Sequence, residues 1–187
     1  MSMPGPGTST GCSGAPGAAS SVVRMRSASL AATRRLGQAL GKLLAAGDVI
    51  LLEGALGAGK TALTQGIGKG LGVAGVINSP TFTILKEYVG RLPLYHFDLY
   101  RIDDPDEVYA LGFEEYFAGD GVCVVEWAER GVTPGADITP WPANYVRIHL
   151  RADNGANRDA RLIEASGVGP RGLALLAAWK RAAAEES

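Results

Sequence analysis

The stretch LLEGALGAGKTALTQG, Leu51–Gly66, sets Gly54, Gly57 and Gly59 directly ahead of a lysine and a threonine. Gly54 to Thr61 fit G-x-x-x-x-G-K-[ST], a loop whose backbone N–H groups turn inward around phosphate oxygens. A Cβ would obstruct those dihedrals and close approaches, and glycine removes it. Lys60 can set a point charge on the β- and γ-phosphates, and Thr61 can offer its hydroxyl to Mg²⁺. The positive end of a following helix points at the same anion. The flanks supply the context that this motif demands. DVILLE, Asp48 to Glu53, is a short apolar run read as a buried strand, and TALTQGIGKGLG after the lysine reads as a helix. Strand, glycine loop and helix in that order predict nucleoside triphosphate binding.

A P-loop needs an acidic group at the end of a neighbouring strand to hold the metal and order water. GVCVVEW delivers Glu126 at the end of an apolar strand, beside Trp127. LPLYHFDLYR delivers Asp98, with Leu94, His96 and Asp98 on one face and Tyr95, Phe97 and Leu99 on the other. Glu126 is the preferred metal ligand, because its strand is more continuously apolar and therefore more central. Asp98 is then the group that orients water or holds the metal's outer shell. NSPTFTILKEYVGRLPLYHFDLYR reads as a hairpin, with Phe82, Ile84, Lys86 and Tyr88 alternating and VGRLP turning the chain. Ser79-Pro80-Thr81 at its start is either a switch that senses the γ-phosphate or an ordinary Pro-containing turn.

The remaining segments build one domain. A helix begins at Ser29, its apolar stripe being Leu36, Leu40, Leu43 and Leu44, and ends at Gly47. Val146, Ile148 and Leu150 mark a half-buried strand, and a last strand covers 160–165. Leu173, Leu176, Ala177 and Lys180 mark a final amphipathic helix, while GVTPGADITPWPAN reads as a surface loop. His96 and His149 have no Cys or His at metal-ligand spacing, which argues against zinc. Residues 1–27 read as a disordered tail, Gly/Ser/Pro-rich through Ala19 and without a secretory signal, and 28–187 as a single P-loop ATPase domain.

Composition sets the outer limits. Of 187 residues 47% are hydrophobic, enough for a sizeable core, yet no apolar run approaches the roughly 20 residues of a membrane-spanning helix. Eighteen basic and nineteen acidic residues leave a formal charge of -1, so contact with RNA must be local or made through a partner. Cys12 and Cys123 form neither a disulfide framework nor a metal site, which fits a reducing cytoplasm.

GALGAGKT, SPTFTILKEY, HFDLYR and VVEW, in this order and spacing, resemble the TsaE (formerly YjeE) family, P-loop ATPases required for threonylcarbamoyladenosine (t6A) formation on tRNA. The resemblance covers Ser29 to Ala165, and HFDLYR together with VEW makes it specific. It implies an α/β P-loop NTPase-like three-layer sandwich, with a central mixed, mainly parallel sheet and an antiparallel hairpin. It implies ATP or ADP and Mg²⁺ as cofactors. The nucleotide falls on Thr33, Gly57, Ala58, Gly59, Lys60, Thr61, Ala62, Trp127 and Arg158, and the metal on Thr61 and Glu126. Lys60, Asp98 and Glu126 carry catalysis. The implied partners are TsaB- and TsaD-type subunits of the threonylcarbamoyl-transfer complex, with tRNA reached only through them and no membrane involved. The other reading is a small-molecule P-loop kinase, for which AERGVTPG offers a lid with a single arginine.

Overall fold

Along β2 (Val49–Glu53) the side chains alternate between two faces, yet Val49, Ile50, Leu51 and Leu52 are all buried. A strand apolar on both sides needs a covered layer on each. The computed structural model, which describes residues 22–133, 139–153, 155 and 157–185, contains both layers. Ile50 and Leu52 share an apolar cluster with α1 (Leu30–Leu43), α2 (Lys60–Gly70) and α5 (Gly169–Glu185), through Leu40, Leu63, Ile67 and Trp179. Val49 and Leu51 belong to a second cluster, with Val108 of α3 (Pro105–Tyr109) and Phe113 of α4 (Phe113–Phe117).

Six more strands complete the sheet: β1 (Val22–Ser27), β3 (Leu85–Tyr88), β4 (Leu94–Asp98), β5 (Val122–Glu126), β6 (Tyr145–Ala152) and β7 (Arg161–Val168). The order is β1-β7-β6-β2-β5-β4-β3. Strands β6, β2, β5 and β4 run parallel, and the β3–β4 hairpin closes one edge antiparallel. This is the three-layer α/β sandwich expected. The other edge carries a second antiparallel flank, β6–β7–β1. β5 pairs directly with β2, so Glu126 stands beside the P-loop strand, and its register partner on β4 is Asp98.

Four local expectations are corrected. Residues 22–27 are an edge strand, not tail: Val23 and Ser27 are buried while Arg24 and Arg26 point to solvent, and Val23 pairs with Ala165. The rest of the expected tail lies outside the described residues. The hairpin's first strand starts at Leu85 and not Phe82, because Thr83 and Ile84 donate to Pro80 O at 2.8 and 2.7 Å. Ile84 sits there at φ +64. The buried stripe of α5 is Gly172, Leu175, Leu176, Trp179 and Ala183, so Leu173, Ala177 and Lys180 face outward. In the expected surface loop, Trp141 is buried, its ring edge-on to Phe113 at 5.7 Å.

Helices α1 and α2 meet backbone to backbone. A Cβ at Gly37 would lie 2.3 Å from Leu63 O, and one at Gly41 2.2 Å from Ile67 O. From the other side, a Cβ at Gly66 would lie 2.1 Å from Arg34 O, and one at Gly70 2.4 Å from Gln38 O. Glycines four apart on each helix lie on one face, so the two pairs interlock without intervening side chains. This contact runs along α2 from Leu63 to Gly70, in the helix that begins at Lys60.

Candidate active site

Gly54 and Gly59 take φ +130 and +105, dihedrals that an L side chain rarely adopts, and a Cβ at Gly54 would also meet Leu150 O at 2.2 Å. Gly59 caps α2 without a side-chain hydrogen bond, so the first N–H groups of that helix open toward a cavity of about 470 Å³. Gly57, Ala58, Gly59, Lys60, Thr61 and Ala62 line it. Trp127, Asp98 and Glu126 line it as well. The volume suits a nucleotide-sized ligand.

Lys60 Nζ donates to Gly54 O and, at 3.1 Å, to Ala55 O, and it lies 3.5 Å from the centre of the Trp127 ring. Burial holds its pKa below the usual lysine value, against the pull of Glu126. Trp127 itself takes φ +61, a strained position for a large side chain that aims the ring at the amine.

The two strand-end carboxylates are buried and held by hydroxyls. Glu126 Oε2 accepts from Thr61 Oγ1 at 2.9 Å, and Oε1 accepts from Thr64 Oγ1 at 3.2 Å and His96 Nε2 at 2.8 Å. Asp98 Oδ2 accepts from Ser79 Oγ and, at 2.8 Å, from Thr81 Oγ1, while Oδ1 accepts from Tyr100 N at 2.9 Å. The Ser79–Thr81 segment is therefore both a Pro-containing turn and a direct tether to Asp98. Thr61 Oγ1 and Glu126 Oε2 are hard oxygen donors on the cavity wall, 2.9 Å apart. Adjacent ligands on an octahedron of about 2.1 Å radius have that spacing, so the pair fits Mg²⁺.

Two residues expected at the nucleotide are elsewhere. Thr33 is fully buried, its Oγ1 bonded to Ser27 Oγ at 2.7 Å and to Ser29 O at 3.2 Å, where it ties β1 to the start of α1. Ser29 caps the helix and sets its phase, which turns Leu30 and Arg34 toward the cavity instead. Arg158 is exposed and absent from the lining. Besides Arg34, the site holds Arg161, and sequence reasoning missed both. The Arg161 guanidinium donates to Ala58 O at 3.0 Å, Gly57 O at 3.2 Å, Arg158 O at 2.7 Å and Ala160 O at 2.9 Å. Turning the Gly57 and Ala58 carbonyls toward the guanidinium turns the N–H of each next residue the opposite way. The strand pattern held the signal: Arg161, Ile163 and Ala165 alternate onto the buried face of β7.

The family model for threonylcarbamoyl adenosine biosynthesis protein TsaE matches residues 27–160. The chain belongs to the TsaE family. It is 46% identical over 136 residues to a Nostoc sp. protein named tRNA threonylcarbamoyladenosine biosynthesis protein TsaE, covering 70% of this chain and 78% of the relative. A Streptomyces coelicolor protein of the same name is 41% identical over 145 residues, covering 74% of this chain and 92% of the relative. The crystal structure of Bacillus subtilis YdiB superimposes with a TM-score of 0.70 at 34% identity, covering 87% of this chain and 96% of that one. The TsaE match ends at residue 160, one residue short of Arg161.

Proposed function

We propose that this chain binds and hydrolyses MgATP as an accessory protein for t6A modification of tRNA, acting with TsaB- and TsaD-type subunits of the threonylcarbamoyl-transfer complex. The observation that carries the reading is one cavity lined at once by the P-loop, the Thr61–Glu126 oxygen pair and the hydroxyl-tethered Asp98. The loop's N–H groups and Lys60 bind and orient the phosphates, and Thr61 with Glu126 would hold Mg²⁺. The ion supplies charge neutralisation on the β- and γ-phosphate oxygens. Asp98 has its carboxylate fixed by Ser79, Thr81 and the Tyr100 N–H, which lets it orient an attacking water and accept its proton. No covalent enzyme intermediate is needed.

The kinase reading loses its lid arginine. Arg130 NH1 is bonded to Ile102 O at 2.9 Å and to Asp103 at 3.1 Å, and its guanidinium packs behind the lining rings of Tyr100 and Trp127 without itself lining the cavity. No helix among the described residues is long and apolar enough to cross a membrane.

A phosphate-release assay tests the function. With ATP and Mg²⁺ alone the chain should release inorganic phosphate slowly, because its cavity is open and catalytic closure comes from partners. Adding the threonylcarbamoyl-transfer subunits should raise the rate several-fold. The chain alone should show no tight, salt-sensitive tRNA binding, since its formal charge is -1. A rate unchanged across a titration of those subunits, or a phosphorylated small molecule as product, would refute the proposal.

A further inference from the structure

We infer, resting on the MgATP reading above, that His96 is a positioning residue for the metal-binding carboxylate. It grips Oε1 of Glu126 so that Oε2 is presented to Thr61 and to a divalent cation. His96 is fully buried on β4, within a strand that also buries Leu94 and Phe97, and it is absent from the cavity lining. It therefore cannot touch nucleotide or water in that cavity, and its effect must pass through another group. A carboxylate oxygen accepts, so Nε2 carries the hydrogen in the 2.8 Å contact with Glu126. The other ring nitrogen, Nδ1, is buried with no partner among the described residues.

That orphaned nitrogen is the telling feature. At a sealed core position a leucine would fill similar space with no polar atom to desolvate, whereas an unpaired buried nitrogen costs stability. The ring's single polar contact among the described residues is Glu126, and that contact is what a leucine could not make. Thr64 Oγ1 on α2 lies 3.2 Å from the same oxygen, but its single hydrogen is shared with Lys60 O at 3.1 Å, which leaves His96 as the stronger hold. Held from β4 by the 2.8 Å His96 contact, Oε1 stays on the core side and Oε2 keeps its place beside Thr61. Outer partners of this kind hold metal ligands in orientation and typically alter metal affinity or activity 10- to 100-fold.

Calorimetric titration of the full chain with ADP, first in EDTA and then in MgCl₂, tests the assignment without relying on turnover. In wild type, Mg²⁺ should tighten ADP. His96→Leu should lose at least about tenfold of that enhancement while its metal-free ADP affinity stays within about twofold of wild type. His96→Gln, whose amide N–H can donate to Oε1, should recover most of the enhancement. Equal enhancement in His96→Leu and wild type would overturn the inference. So would a parallel loss of metal-free and Mg²⁺-linked affinity, which marks a purely structural role, or a Gln variant no better than Leu. If His96→Leu does not fold, His96→Met, which fills similar space without a donor, takes its place and should lose the same enhancement; an unchanged value there overturns the inference. A wild-type protein that binds ADP with no Mg²⁺ enhancement refutes the MgATP reading itself, a result visible before any variant is compared.

Discussion

Glu126→Ala should lower hydrolysis by about 100- to 1,000-fold, the loss seen when one preorganised electrostatic contact to a transition state is removed. It should leave the phosphate cradle intact, because Gly57 to Thr61 keep their backbone and Lys60 keeps its charge. Lys60→Ala should also abolish hydrolysis, yet by a different route, since it takes away the cation that spans the phosphates. Calorimetry separates the two. Lys60→Ala should weaken ADP with and without Mg²⁺, whereas Glu126→Ala should weaken it only when Mg²⁺ is present. Wild-type ADP affinity in Lys60→Ala would count heavily against the cradle. Thr61 and His96 both lose their acceptor when Glu126 is removed, so a thermal melt of each variant belongs beside the binding data.

Gly66→Ala should be the most destabilising single methyl in the molecule's helical layer. The added carbon would stand 2.1 Å from Arg34 O, a backbone atom that cannot swing aside, so α1 and α2 must part. Overpacking of this type costs about 3 kcal/mol, which for a chain of this size lowers the melting midpoint by roughly 6–12 °C. Nucleotide affinity should fall with it, because Leu30 and Arg34 on α1 and the P-loop end of α2 line the same cavity. A midpoint within about 2 °C of wild type, read by circular dichroism, would contradict the interlock.

Local chemistry was legible in the sequence and tertiary phase was not. The P-loop announced itself because its glycines, lysine and threonine act at fixed short spacing, and Glu126 and Asp98 because an apolar run ending in a carboxylate is a strand end. Thr33 and Arg158 failed for one reason: which side of a helix or turn faces the ligand depends on where the element begins. Ser29 capping rotates Thr33 inward, and the turn before β7 leaves Arg158 in solvent while Arg161, three residues on, takes the site. β1 was hidden by brevity, since VVRMRS follows a Gly/Ser-rich tail and finds its partner only at Arg161–Ser166. The glycine interlock was invisible because each helix reads as a merely poor helix former until the other is placed against it. The sequence places His96 on a strand face with Asp98 and argues against zinc, whereas its contact is with a carboxylate 30 residues away.

The order of strands in the sheet also sets a timetable for synthesis. β2, which carries the P-loop, lies between β5 and β6, so on the ribosome it has no sheet neighbour before residue 122 is made and lacks its second before residue 145. β1 waits longer still, for Arg161–Ser166. Pairings of such separation close slowly, and in the interval an apolar Val49–Leu52 run is bare on the nascent chain. A nascent polypeptide that stops short of Arg161 carries the whole glycine loop without the guanidinium that holds its carbonyls. On the proposed MgATP reading, the complete nucleotide site exists only after nearly all of this chain has been translated.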